Sequence, residues 1–170
     1  MLIDNLMPVY DLIIRHERVI AAPQRQVWQA ARAMTIRKLL RVRVLLWIRE
    51  IFSRLNGQPL ETFPVIAEKE GTEVVMAICG KFWAISGNIV DVPVEVIPLY
   101  QAKGSAKAYW NFHLESIGVG QTRIVSETRV QVYGAQELKR FRRYWALVGP
   151  GAGWIRKEIL KAIERESLGR

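Results

Sequence analysis

The chain holds one cysteine, Cys79, and two histidines, His16 and His113, in 170 residues. A lone thiol forms no internal disulfide, and so few sulfur and imidazole groups leave no Cys/His cluster at metal-ligand spacing. No metal and no cofactor is therefore expected, and the expected setting is reducing and cytoplasmic. Long uninterrupted apolar runs are also missing: the most apolar stretch, 36–55, is broken by Arg41, Arg43, Arg49 and Glu50, which excludes an ordinary membrane span. The first fourteen residues lack the basic leader of a signal peptide. Gly149-Pro150-Gly151 lacks the Lys-Ser/Thr of a phosphate loop and the spacing of a dinucleotide fingerprint. There is no internal repeat and no low-complexity segment.

What is present is apolar and basic. Half the residues are hydrophobic and six are Trp, enough for one core or one lined cavity, and the length suits a single domain over 1–170 with 1–10 as an N-terminal tail. The net charge of +9 is uneven: 32–54 holds seven basic residues and one acidic, and 134–170 holds nine and four. The rest is close to neutral. Such a field favours anionic partners, an anionic membrane surface among them. Nucleic acid is not expected, because no recognition motif accompanies the charge and the aromatics sit at burial spacing.

Periodicity gives the order of elements. Residues 11–21 alternate as a strand, and Pro23 opens a helix through Val27, Trp28 and Ala31. Residues 36–55 carry an apolar helical stripe. Val65 to Glu68 and Glu73 to Cys79 form a hairpin, Gly80 suggests a bulge, and 81–86 continue as strand. Residues 91–104, with two Pro, read as an irregular connection. Residues 106–115 and 121–131 alternate as paired strands. In 136–165, Leu138, Phe141, Trp145, Val148, Ala152, Ile155, Ile159 and Ala162 recur at steps of three and four straight through Gly149-Pro150-Gly151. The preserved phase predicts one long helix, kinked at Pro150. The fold class is α+β: a curved antiparallel sheet of about six to seven strands around that helix, with two shorter helices after the first strand.

The element order resembles the START-like superfamily, also called SRPBCC, whose members share the helix-grip fold. Local phrases match it in order: the opening strand with Ala21-Ala22-Pro23 and Val27-Trp28, Gly80-Lys81-Phe82-Trp83, Ala108-Tyr109-Trp110-Asn111-Phe112, Ser126-Glu127-Thr128-Arg129-Val130, and Phe141-Arg142-Arg143-Tyr144-Trp145. The resemblance implies a cavity between sheet and C-terminal helix for a hydrophobic small molecule such as a sterol, lipid, quinone, hormone or polyketide. Relatives include carriers, sensors, cyclases and hydrolytic enzymes, and no catalytic set transfers by position.

Trp83, Trp110, Phe112, Phe141, Tyr144 and Trp145 are the candidate cavity walls, set against the plainer reading that they are core. His113, Glu127 and Arg129 are the groups a cyclase- or hydrolase-type alternative would use. Glu127 and Arg129 share a strand face and pair most simply with each other. The orientation of 106–115 decides whether His113 and Asn111 or Trp110 and Phe112 enter the cavity, and the alternation is symmetric between the two. Cys79 reads as a buried, inert thiol.

Overall fold

The computed structural model describes residues 1–33, 64–83 and 89–169. Residues 1–10, read as a tail, contain a short helix, α1 (Leu2–Leu6). Strand β1 (Leu12–Ile20) follows, its even-numbered residues turned toward the interior. Pro23 then starts α2 (Gln24–Ala33), its carbonyl accepting from the amides of Gln26 and Val27, and the helix buries Val27, Trp28, Ala30 and Ala31. The helix expected over 36–55 lies outside the described residues. Strands β2 (Val65–Lys69) and β3 (Glu73–Gly80) form the predicted hairpin, with Gly71 at φ 72° in its turn, a backbone angle that L side chains resist.

Gly80 ends β3 at φ 127° and pairs with both neighbours, so it is a strand terminus and not a bulge. The register shifts fall at Val65/Ala67 and Ser116/Gly118. Phe82 and Trp83 stand in a turn and not in a strand, and 84–88 lie outside the described residues. A two-residue strand, β4 (Ile89–Val90), and a 3-10 turn (Ile97–Leu99) occupy the Pro-containing connection. Strands β5 (Ala106–Gly118) and β6 (Gln121–Val132) are the long central pair, and α3 (Ala135–Ser167) closes the chain.

The strands make one curved antiparallel sheet in the order β1-β6-β5-β3-β2, with β4 on β3, and α3 lies across one face. This is the helix-grip arrangement of the α+β class. Helix α3 runs unbroken through Pro150, as the continuous stripe requires, although proline gives no amide to the carbonyl of Ala146. Both faces of the sheet are covered. Toward α3 lie Trp110, Phe112, Leu114, Ile124 and Val130; on the far side α1 and residues 92–100 cover Val75, Ala77, Cys79 and Tyr109. Among the described residues no helix is long and apolar enough to cross a membrane.

Candidate functional site

Cross-strand register sets the floor beneath α3. Four ranks run across β1, β6, β5 and β3: Leu12, Val130, Ala108, Ile78; then Ile14, Thr128, Trp110, Met76; then His16, Ser126, Phe112, Val74; then Arg18, Ile124, Leu114. Side chains alternate along each strand, so these residues share the face that meets the helix. The orientation left open by alternation is thereby resolved. Trp110 and Phe112 face α3, their rings 5.1 Å apart, and His113 faces away.

The other four aromatic candidates gather at the N-terminal half of α3. Phe141 is fully buried, with Trp83 at 5.2 Å, Trp145 at 5.5 Å in a stacked pair, Tyr144 at 5.9 Å and Phe82 at 5.9 Å. At the opposite end Ile159, Leu160 and Ile163 are buried against Trp28, Leu114 and Ile124. Between these anchors the inward stripe is not sealed: Trp145, Val148, Ala152 and Ile155 each keep accessible surface. The helix is pinned at both ends, and Gly149, Gly151 and Gly153 fall between the two anchors.

A polar group occupies this middle zone. Trp110 donates its indole N–H to Ser126 Oγ at 2.7 Å. The guanidinium of Arg156 lies 3.7 Å over the Trp110 ring. Burial lowers the Arg156 pKa to about 9, still above neutral pH, so it carries its charge inward. Arg156 is densely surrounded, and part of its surface stays reachable by water. Thr128 is 8% exposed, and its Oγ1 is sealed without a hydrogen-bond partner. His16 Nε2 is likewise sealed and unpartnered, beneath Gly153, where a Cβ would come within 3.2 Å of it. Burial first, then the charges of Lys157 and Arg156, lower the His16 pKa, so the imidazole is neutral at physiological pH. Among the described residues no carboxylate orients His16 and no hydrogen bond joins it to Ser126, so these two form no activated nucleophile there.

The groups reserved for catalysis lie on the opposite face. Glu73 accepts from the amides of Leu2 at 2.6 Å and Ile3 at 3.2 Å and from Asn111 Nδ2 at 2.7 Å, with His113 Nδ1 3.3 Å away. Asn111 Oδ1 accepts the Glu127 amide at 2.9 Å. Arg129 donates to Glu127, Asp4 and the carbonyls of Met7 and Ile3, and sits over the Tyr10 ring. Glu127 and Arg129 are thus the structural pair that their shared strand face suggested, and His113 turns to Glu73 on the same face. None of the three can touch a molecule held against α3. Cys79 is buried on this side too, and burial pushes its thiol up to about 11.

Sequence reasoning gave no role to Arg156, Ser126 and Thr128, and noted His16 only as one of two histidines, on the same strand side as Leu12 and Ile14. A signal existed in each case. His16 shares the inward parity of β1 with Leu12, Ile14 and Ile20, and Ser126 and Thr128 share that of β6 with Ile124 and Val130. Arg156 stands four residues from Ala152 and three from Ile159, on the apolar stripe itself.

No family model matches the chain, and no curated protein matches it. Among solved structures, a conserved protein from Geobacillus kaustophilus is similar at 13% identity, covering 93% of this chain and 96% of the other, with a TM-score of 0.50. A protein from Thermus thermophilus has 15% identity, covering 93% and 98%, with a TM-score of 0.40. The Zhui aromatase/cyclase from a Streptomyces species has 11% identity, covering 91% and 94%, with a TM-score of 0.34. At 13% identity the likeness to the Geobacillus protein speaks to the fold alone.

Proposed function

We propose that the protein is a START-like carrier or sensor that holds a hydrophobic or amphipathic small molecule, of lipid, quinone or polyketide-like character, between the sheet and α3. The observation that carries this reading is the unsealed middle of α3. An apolar stripe buried at both ends and reachable at its centre, over a floor of Trp110 and Phe112, has the makeup of an apolar site with few polar groups. The candidate walls Trp83, Phe141, Tyr144 and Trp145 lie at one end of it. The test is native mass spectrometry of freshly purified protein with organic extraction of the bound fraction. The reading expects one defined species of small mass, removable by solvent. A bare protein mass, unchanged after incubation with fatty acids, quinones and polyketides, would sink it.

A second observation favours an anionic membrane surface as partner. Arg143, Leu147, Pro150, Trp154, Lys157 and Lys161 fall on one outer side of α3 and are all exposed, Leu147 by 83% and Trp154 by 40%. Apolar tips framed by basic side chains suit a headgroup layer from which a carrier loads. Flotation with phosphatidylserine-containing vesicles should recover the protein at low salt, and vesicles of phosphatidylcholine alone should not. Equal flotation with both, or no loss on Leu147→Asp, would remove this reading.

A further inference from the structure

The cations around the C-terminal half of α3 separate by their partners. Arg18 is engaged by Glu164 at 2.6 Å, and the buried Glu158 takes Lys161 at 2.8 Å. Arg156, among the described residues, has neither a carboxylate nor a hydrogen-bond acceptor, only the face of Trp110. A guanidinium has five donors in a flat fork that fits an oxyanion in a two-point contact. Removing it from water without an anion is costly, and an aromatic face supplies only part of what water gave. Around it are polar atoms left unfilled on the same face, Thr128 Oγ1 and His16 Nε2. Thr128 pairs directly with Trp110 in the register, and His16 with Ser126, so these atoms line one short strip of floor. At the other end of the stripe, among the described residues, Phe141 is buried in an apolar cluster with Trp83, Tyr144 and Trp145.

We infer that the molecule held under α3 is an amphipathic organic anion, its carboxylate, sulfonate or phosphate seated on Arg156 beside Thr128 and His16 and its apolar body directed toward Trp145 and Phe141. This rests on the proposed small-molecule site and adds the charge of the occupant. It also assigns His16 a positioning part: a neutral imidazole can donate to an oxyanion, or accept from a hydroxyl, without adding charge.

Two fluorescent probes with one ring system separate the two ideas: anilinonaphthalene sulfonate, and N-phenylnaphthylamine, which lacks the sulfonate. The full-length protein should bind both, the sulfonate roughly ten- to hundredfold more tightly, the factor a charge-assisted contact supplies. Arg156→Gln should bring the sulfonate down to the affinity of the neutral probe and leave the neutral probe unchanged, which also reports an intact fold. Arg143→Gln, on the outer side of the same helix, should change neither. The inference is overturned if the wild-type protein shows no preference for the sulfonate, if the preference survives Arg156→Gln, or if Arg143→Gln removes it equally. In each of those outcomes the neutral probe still binds and the small-molecule site stands. If neither probe binds, the site itself fails and the charge assignment falls with it.

Discussion

Arg129 and Arg156 carry the same guanidinium inward on opposite sides of one sheet, and their surroundings divide structure from binding. Arg129 is 6% exposed and its donors are occupied by Glu127, Asp4 and two carbonyls. Arg129→Met strands the Glu127 carboxylate in the interior and should cost about 3–5 kcal/mol in urea unfolding, the range for breaking a buried pair from one side. Arg156→Met releases a desolvated charge and forfeits a ring contact of about 0.5–2 kcal/mol. Its unfolding midpoint should stay level or rise, by about 1 kcal/mol at most. A large loss would mean that Arg156 is a structural residue. The first arginine was legible in the sequence because Glu127 stands two positions away on the same strand face. The second was legible only as a basic residue on the apolar stripe of α3, since spacing shows where a side chain points and not whether an acid meets it there.

At the level of the element, α3 combines a stripe that packs with a glycine-rich centre that does not. Three glycines in five residues, with Pro150 among them, weaken the helix by roughly 1 kcal/mol per glycine relative to alanine. Their neighbours differ. A Cβ at Gly151 meets nothing within 4 Å, whereas one at Gly153 meets His16 Nε2 at 3.2 Å. Gly151→Ala should therefore raise stability by about 0.5–1 kcal/mol in thermal or urea unfolding, with probe binding unchanged. Gly153→Ala should gain less or lose, because the imidazole must shift by a few tenths of an ångström, and it should weaken anion binding by moving His16. Identical gains at both positions would show that the helix centre does not press on the floor. The stripe of α3 and the alternation of β1, β5 and β6 were legible because period alone encodes them. The turn at Phe82 and Trp83 was not, because three ring contacts, of these two with each other and of each with Phe141, override a strand-like pattern too short to assert itself.

The whole molecule is a sheet with two covered faces, and only one was visible from sequence. Residues 1–10 read as a tail because five helical residues carry no usable period, yet Ile3 and Met7 are buried and Glu73, seventy residues away, holds the helix by its amides. Contacts of that reach have no signature in local pattern. The covered far face gives a pH prediction. Burial raises the Cys79 thiol to about 11 and the Tyr109 phenol to about 12, and raises Tyr133 further, so each is held protonated in the fold. The unfolded chain releases these protons earlier. Their contribution is therefore whole at neutral pH and drains away as pH climbs from about 9 toward 12. Lys107 acts with the opposite sign: burial lowers its pKa, its Nζ donating to the Pro98 carbonyl beside Tyr109 and Tyr133, so deprotonation favours the fold. Three groups against one should leave a net alkaline decline in the urea midpoint. Tyr109→Phe also removes a buried hydroxyl that has no hydrogen-bond partner, so it should be neutral or stabilising at pH 7 and flatten the decline above about pH 10. Affinity for a probe under α3 should not follow that change, since Tyr109 and the proposed site lie on opposite faces. An equal alkaline slope in the variant, or a parallel loss of probe affinity, would place the titrating groups elsewhere.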